Sequence, residues 1–172
     1  MKTVYKVLHG MMVLSLLVFV ITSCKKDDKS VVVENVDENE DYVDLGLSSG
    51  TLWKNFNEGN FYTYNDAIST FGDQLPSDEQ FYELIDECTW DWEDNGYNIT
   101  GPNGNSIFLK AEGKLDYEGH LTSPNVMGFY WSSTAKNDNF SYHLQFSGGT
   151  LSEDYSITHS MNVNQHSIRL VK

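Results

Sequence analysis

Cysteine is scarce in this chain, with two among 172 residues. Cys24 closes an apolar segment at the N-terminus, which leaves Cys88 by itself in all that follows. One thiol cannot close an intramolecular disulfide, so the rest of the chain must be held by its core, and it is long enough to build one. Basic residues are also few, 11 against 25 acidic ones, for a net charge of −14. A negative field of that strength repels phosphate backbones and anionic lipid, which argues against nucleic acid as a partner. No apolar run reaches the about 20 residues that a helix needs to span hydrocarbon. Catalytic signatures are missing as well. There is no glycine-rich phosphate loop. His120, His143, His159 and His166 are scattered, with none at i, i+4 on a helix or paired with cysteine, so they read as isolated surface or strand positions. A glycosidase-like carboxylate pair needs only two acids that meet in space, which spacing along the chain does not test. No catalytic residue is assigned, and the domain reads as a non-enzyme.

What is present begins at the N-terminus. Lys2 and Lys6 give a positive start, and residues 7–23 are apolar or small apart from His9. The uninterrupted core, 11–21, has the length and flanks of a signal peptide rather than of a membrane helix. It ends in Ile21-Thr22-Ser23-Cys24, which resembles a bacterial lipobox. The resemblance implies cleavage before Cys24 and lipidation of its thiol, with outer-membrane lipid as the partner. One acyl chain holds a protein only marginally. A lipoprotein cysteine carries two or three, of the palmitate kind, which implies stable anchoring. Lys26-Asp27-Asp28, just past the cysteine, is similar to the export signal of Bacteroidetes surface lipoproteins and implies exposure on the outer face of the outer membrane. A solvated charged linker is the alternative. Loss of residues 1–23 leaves 9 basic against 25 acidic residues, a net charge of −16.

The organisation that follows has two parts. Residues 24–41 are charged, with Val31-Val32-Val33 as the one apolar patch, and read as a flexible, self-repelling acidic tether. Residues 42–172 read as one domain without repeats. Aromatic residues make up 13% of the chain and most fall in this part, which supports a folded β-rich domain rather than a tail. Short strands are expected over 42–45 and 51–53, with a turn at Ser48-Ser49-Gly50. Thr63 precedes a short helix that Gly72 ends. Ser77 and Gln80 form a capping box, and Phe81, Leu84, Ile85 and Cys88 make one buried helical stripe. Cys88 therefore reads as a small core hydrophobe. Further strands are expected at 97–100, 107–109 and 129–131. Phe140, Tyr142, Leu144 and Phe146 alternate with Ser141, His143 and Gln145, the pattern of a half-buried strand. Gly148-Gly149 is expected to turn the chain into Thr150-Leu151, and 166–171 to close the domain as a final strand. Two early helices and many later strands indicate an α+β class.

Several strings, in order, resemble the Fibrobacter succinogenes major paralogous domain family, FISUMP. They are Asp44-Leu45-Gly46-Leu47-Ser48-Ser49-Gly50-Thr51-Leu52-Trp53, Leu75-Pro76-Ser77, Cys88-Thr89-Trp90-Asp91-Trp92, Asn103-Gly104-Asn105-Ser106-Ile107-Phe108-Leu109, Tyr130-Trp131-Ser132-Ser133-Thr134 and Ser167-Ile168-Arg169-Leu170-Val171. The resemblance implies a C-type-lectin-like domain related to sulfatase-modifying factors, with two short helices, a twisted antiparallel β-sheet and long loops that carry any binding surface. It implies a place on the cell surface better than an activity. There are departures. The stretch from Asn57 to Tyr62 is shorter than the usual insertion, and Lys110 and Glu112 stand where the family tends to have Pro and Ala. Sulfatase-modifying enzymes use a cysteine pair, and Cys88 is alone, so that oxidation is not expected.

Two candidate sites remain. Asp91, Glu93 and Asn95, before Gly96, match the first half of a calcium loop. Position twelve would be Pro102, which offers no side-chain ligand, and a hairpin turn is the alternative. No cofactor other than that calcium is indicated. Trp92, Tyr97 and Tyr117 are candidates for a sugar-stacking platform, with core packing as the alternative. The functional expectation is a non-catalytic binding domain for a glycan or protein ligand. The alternative is a structural or accessory component of an envelope or fimbria-like assembly.

Overall fold

The computed structural model describes residues 41–148 and 155–172. The signal segment 1–23, Cys24, the tether up to residue 40 and the turn expected from Gly149 into Leu151 lie outside the described residues. No helix among the described residues is long and apolar enough to cross a membrane.

The fold is α+β, with two short helices and small antiparallel sheets. Strand β1 (Tyr42–Asp44) pairs with β2 (Leu52–Lys54). Strand β3 (Tyr62–Thr63) leads into α1 (Tyr64–Phe71), whose first turn is closed by the Thr63 hydroxyl accepting the Asp66 N–H. Gly72 ends that helix at φ 53°, a conformation that glycine adopts without steric penalty. Helix α2 (Asp78–Glu87) opens with the full Ser77–Gln80 capping box and buries Phe81 and Leu84. It stops one residue earlier than the apolar stripe suggests. Cys88 is the C-cap, half-buried against the core, and burial together with Glu87 and Glu83 pushes its thiol up to about 11.

Strands β4 (Thr89–Glu93), β5 (Gly96–Thr100) and β6 (Ser106–Lys110) form a three-stranded meander. The stretch after it, expected to be loose, contains the small hairpin of β7 (Lys114–Leu115) and β8 (Leu121–Thr122). The longest strands are β9 (Met127–Asn137) and β10 (Phe140–Ser147), with β11 (Tyr155–Met161) on the outer edge. Strand β12 (Gln165–His166) sits between β3 and β7. The expected final strand over 166–171 is therefore shorter than the sequence pattern. Beyond His166 the chain continues through single bridges, Ser167 to Tyr130 and Val171 to Trp53, because its backbone bonds are shared among several neighbours.

Adjacent residues of β9 point to opposite sides and found two cores. Tyr130 joins Trp53, Phe81, Leu84, Leu144 and Phe146 in the larger cluster. Trp131 joins Tyr64, Ala67, Leu75, Ile168 and Leu170 in the smaller one, under α1. The sheet is thus covered on both faces. This overturns the half-buried reading of β10, since Ser141 and His143 are as buried as Leu144 and Phe146. A polar residue on the second face of a strand is exposed only when nothing packs over that face.

Candidate functional site

The described residues contain an open cleft of about 310 Å³, lined by Asn57, Asn60, Phe61, Lys110, Glu112 and Asn125 among others. Its wall comes from the loop between β2 and β3. Its floor comes from the end of β6, the residues just after it and the loop between β8 and β9, and the stretch after β12 braces these from behind through Ser167 and Arg169. What fixes it is Arg169, the single arginine of the sequence and almost fully buried. Its guanidinium donates from Nε and Nη2 to Asn57 Oδ1, at 3.0 and 2.7 Å, from Nη1 to the Lys54 carbonyl at 2.7 Å, and from Nη2 to the Phe108 carbonyl at 2.6 Å. Burial lowers its pKa. Tyr130, Glu112 and Glu58 act the other way and favour the charged form. A buried cation is tolerable when its donors find acceptors, and a planar fork suits this set of acceptors.

Asn57 passes the order outward. Its amide donates to Glu112 Oε2 and to the Tyr130 hydroxyl, both at 2.9 Å. Tyr130 donates in turn to the Lys110 carbonyl at 2.7 Å, and burial pushes its phenol up to about 12. Ser167 donates to the same Glu112 oxygen at 3.1 Å. Glu112 Oε1 stays on the cleft side, 3.7 Å from Lys110 Nζ. The other cleft carboxylate, Glu58, is paired with Lys54 at 2.6 Å. Amide, ammonium and carboxylate groups thus stand in fixed positions around an open space beside Phe61. That arrangement can hydrogen-bond a hydroxyl-rich molecule. The loop on the far side is held tightly too. Asn125 adopts φ 59°, its N–H donates to the Ala111 carbonyl at 2.7 Å, and its side chain accepts from Asn95 at 3.1 Å.

The expected calcium loop has a different geometry. Asp91 and Glu93 lie on the exposed face of β4, paired in register with Asn98 and Gly96. The bend is only Asp94-Asn95, with Asp94 at φ 50°, and the Asn95 amide is engaged with Asn125. A paired strand and a two-residue turn occupy the positions where the calcium loop would curl, which is the hairpin alternative. The three stacking candidates are not brought together. Tyr97 is in the larger core, its hydroxyl donating to the Ser147 carbonyl at 3.3 Å. Trp92 packs edge-on against it at 5.1 Å and is half-buried. Tyr117 is 66% exposed, at the tip of the β7–β8 hairpin in another sheet.

Tyr117 lies inside a group that sequence reasoning missed. Asp116, Glu118 and His120 bring ligand atoms within 4.8 Å of one another and could hold a metal ion. The Asp116 carboxyl is held below its ordinary range, first by the N–H of His120 and then by that of Glu118. The signal was a carboxylate, carboxylate and imidazole at alternate positions around Gly119. The cleft was less legible. Lys110 and Glu112 drew notice only as departures from a family pattern, and nothing local links Asn57 to Arg169. The histidines also need correction. His143 and His166 are buried and in contact with each other, not isolated.

Compared with known protein families, curated proteins and solved structures, the chain matches none.

Proposed function

We propose that this chain is a surface lipoprotein, anchored in the outer membrane through Cys24, whose C-type-lectin-like, FISUMP-type domain binds a glycan in the Asn57–Glu112 cleft. The observation that carries the reading is the Arg169–Asn57–Glu112 network. It spends a buried cation on holding polar groups still at the edge of an open space, which is how binding sites are preorganised. The domain is non-catalytic in this reading. Each cleft carboxylate has a lysine partner, and Glu112 is further bound by Asn57 and Ser167. Among the sequence candidates, Tyr117 remains open to solvent for a ligand.

The test is binding of the soluble chain, residues 25–172, to a broad glycan array with and without a calcium chelator. Reproducible hits are expected, with at least a tenfold loss of signal in Lys110→Ala, whose side chain is half exposed at the cleft. Hits that Lys110→Ala leaves unchanged would place the sugar elsewhere. Loss of hits on chelation would bring the Asp91, Glu93 and Asn95 turn or the Asp116 group back as a cation site. A blank array in both conditions would move the reading to a protein ligand or to an assembly role.

A further inference from the structure

His143 and His166 are the most unusual polar residues in the described part of the chain. They come from two elements, β10 and β12, and are 2% and 0% exposed. Their rings meet edge to face at 4.7 Å between centroids. The His166 ring stacks on Trp131 at 3.9 Å and 12°, and Phe129 flanks both imidazoles at 5.9 and 5.5 Å. None of the four ring nitrogens has a hydrogen-bond partner. Gln145 lies near enough to favour a proton on His143 slightly but does not reach hydrogen-bond geometry. The charged groups that act on the rings all disfavour a proton. They are Lys114 from β7, which acts on both rings, His159 from β11, which acts on His143, and His143 itself, which acts on His166. No carboxylate is among them. Tyr62 of β3, paired with His166 in register, brings no carboxylate either.

The place of this pair in the chain gives it a consequence. Ser167 follows His166 directly and donates to Glu112, and Arg169 lies two residues further on and holds Asn57. The same segment is tied to β9 by Trp131 N–H to the Ser167 carbonyl at 3.3 Å and Ser167 N–H to the Phe129 carbonyl at 3.0 Å. We infer that the His143–His166 contact is an acid-sensitive latch, closed while both rings are neutral, which holds in place the 167–169 segment that braces Glu112 and Asn57 at the cleft. A proton on either ring would sit in an apolar enclosure against an imidazole and a lysine, and the ring leaves that enclosure to reach water.

The sign follows from linkage. Burial is the main cause that lowers both imidazoles, His143 to about 3. An opened segment takes up protons from about pH 6.5 downward, whereas the closed one does not. The closed form is therefore favoured fully above that pH and loses ground as the pH falls. Between pH 7 and pH 5, opening should become about 25-fold more frequent for each imidazole it frees. The effect on a ligand rests on the cleft reading given above. The latch itself does not, because it is tested without ligand.

The experiment is hydrogen exchange on the full-length chain, read by mass spectrometry from pH 7.5 to 5 and corrected for intrinsic exchange rates. Protection of the peptide holding Trp131 and of the one holding Ser167–Arg169 should fall about 25-fold or more, while α2 stays protected. Exchange at the imidazole C2 position, read on the same samples, should show neither ring titrating near 6.5 in the closed protein. His166→Phe should weaken the pH dependence to the share that His143 alone contributes. If that variant does not fold, the two wild-type measurements decide. Unchanged protection across the range, or a buried ring that titrates like a free histidine while the fold stays closed, would overturn the latch. A blank glycan array beside a positive exchange result would remove the ligand and leave the latch standing.

Discussion

At the residue scale, one charge organises the cleft. The four Arg169 hydrogen bonds reach an asparagine and two carbonyls, and no carboxylate makes ion-pair contact with it among the described residues. Removing the guanidinium strands Asn57 Oδ1 and the carbonyls of Lys54 and Phe108 in a dry interior. Each stranded group is expected to cost about 1–3 kcal/mol. Arg169→Met should therefore lower stability by about 3–5 kcal/mol, seen as a lower urea midpoint at unchanged slope. Arg169→Lys should recover little of this, because an ammonium cannot place two donors on one oxygen and two more on separate carbonyls. Full recovery by lysine would mean that charge, rather than fork geometry, holds the loop.

At the scale of elements, local rules and cross-strand packing separate cleanly. Both helices begin where capping chemistry places them, at Thr63 and Ser77. Capping is written in residues three apart, so it is readable without tertiary context. The sheet of β9, β10 and β11 depends on contacts between strands. Gly128 faces Phe146 in register, and a Cβ there would run into the Phe146 ring. Gly128→Ala should destabilise the protein by about 1–3 kcal/mol through overpacking. Gly128→Ala with Phe146→Leu should cost less than the sum of the two single changes, as a double-mutant cycle in urea would show. Strict additivity would mean that the ring simply turns aside. The same sheet shows why the β10 pattern misled. Alternation reports which residues share a face, but not whether the second face is covered.

At the scale of the whole molecule, both cores are built among residues 42–171, well separated along the chain from the lipid anchor expected at Cys24. Cys24→Ala should therefore release a folded, soluble protein from the membrane fraction, with its circular dichroism spectrum unchanged. Retention of that variant in membranes would sink the lipobox reading. A chain this acidic should also resist self-association once released, since like charges repel over a Debye length of about 8 Å at physiological salt.

The sequence by itself determined the α+β class, the helix starts at Thr63 and Ser77, and the Phe81–Leu84 face that α2 buries. Each rests on residues near one another in the chain, where periodicity and turn chemistry act directly. Only the tertiary structure decided that Asn57, Glu112, Tyr130 and Arg169 form one network, that Tyr97 is buried, and that two histidines meet without partners. Those contacts join residues as far apart as Asn57 and Arg169. No local preference encodes such a meeting, because it exists only once both faces of the central sheet are packed.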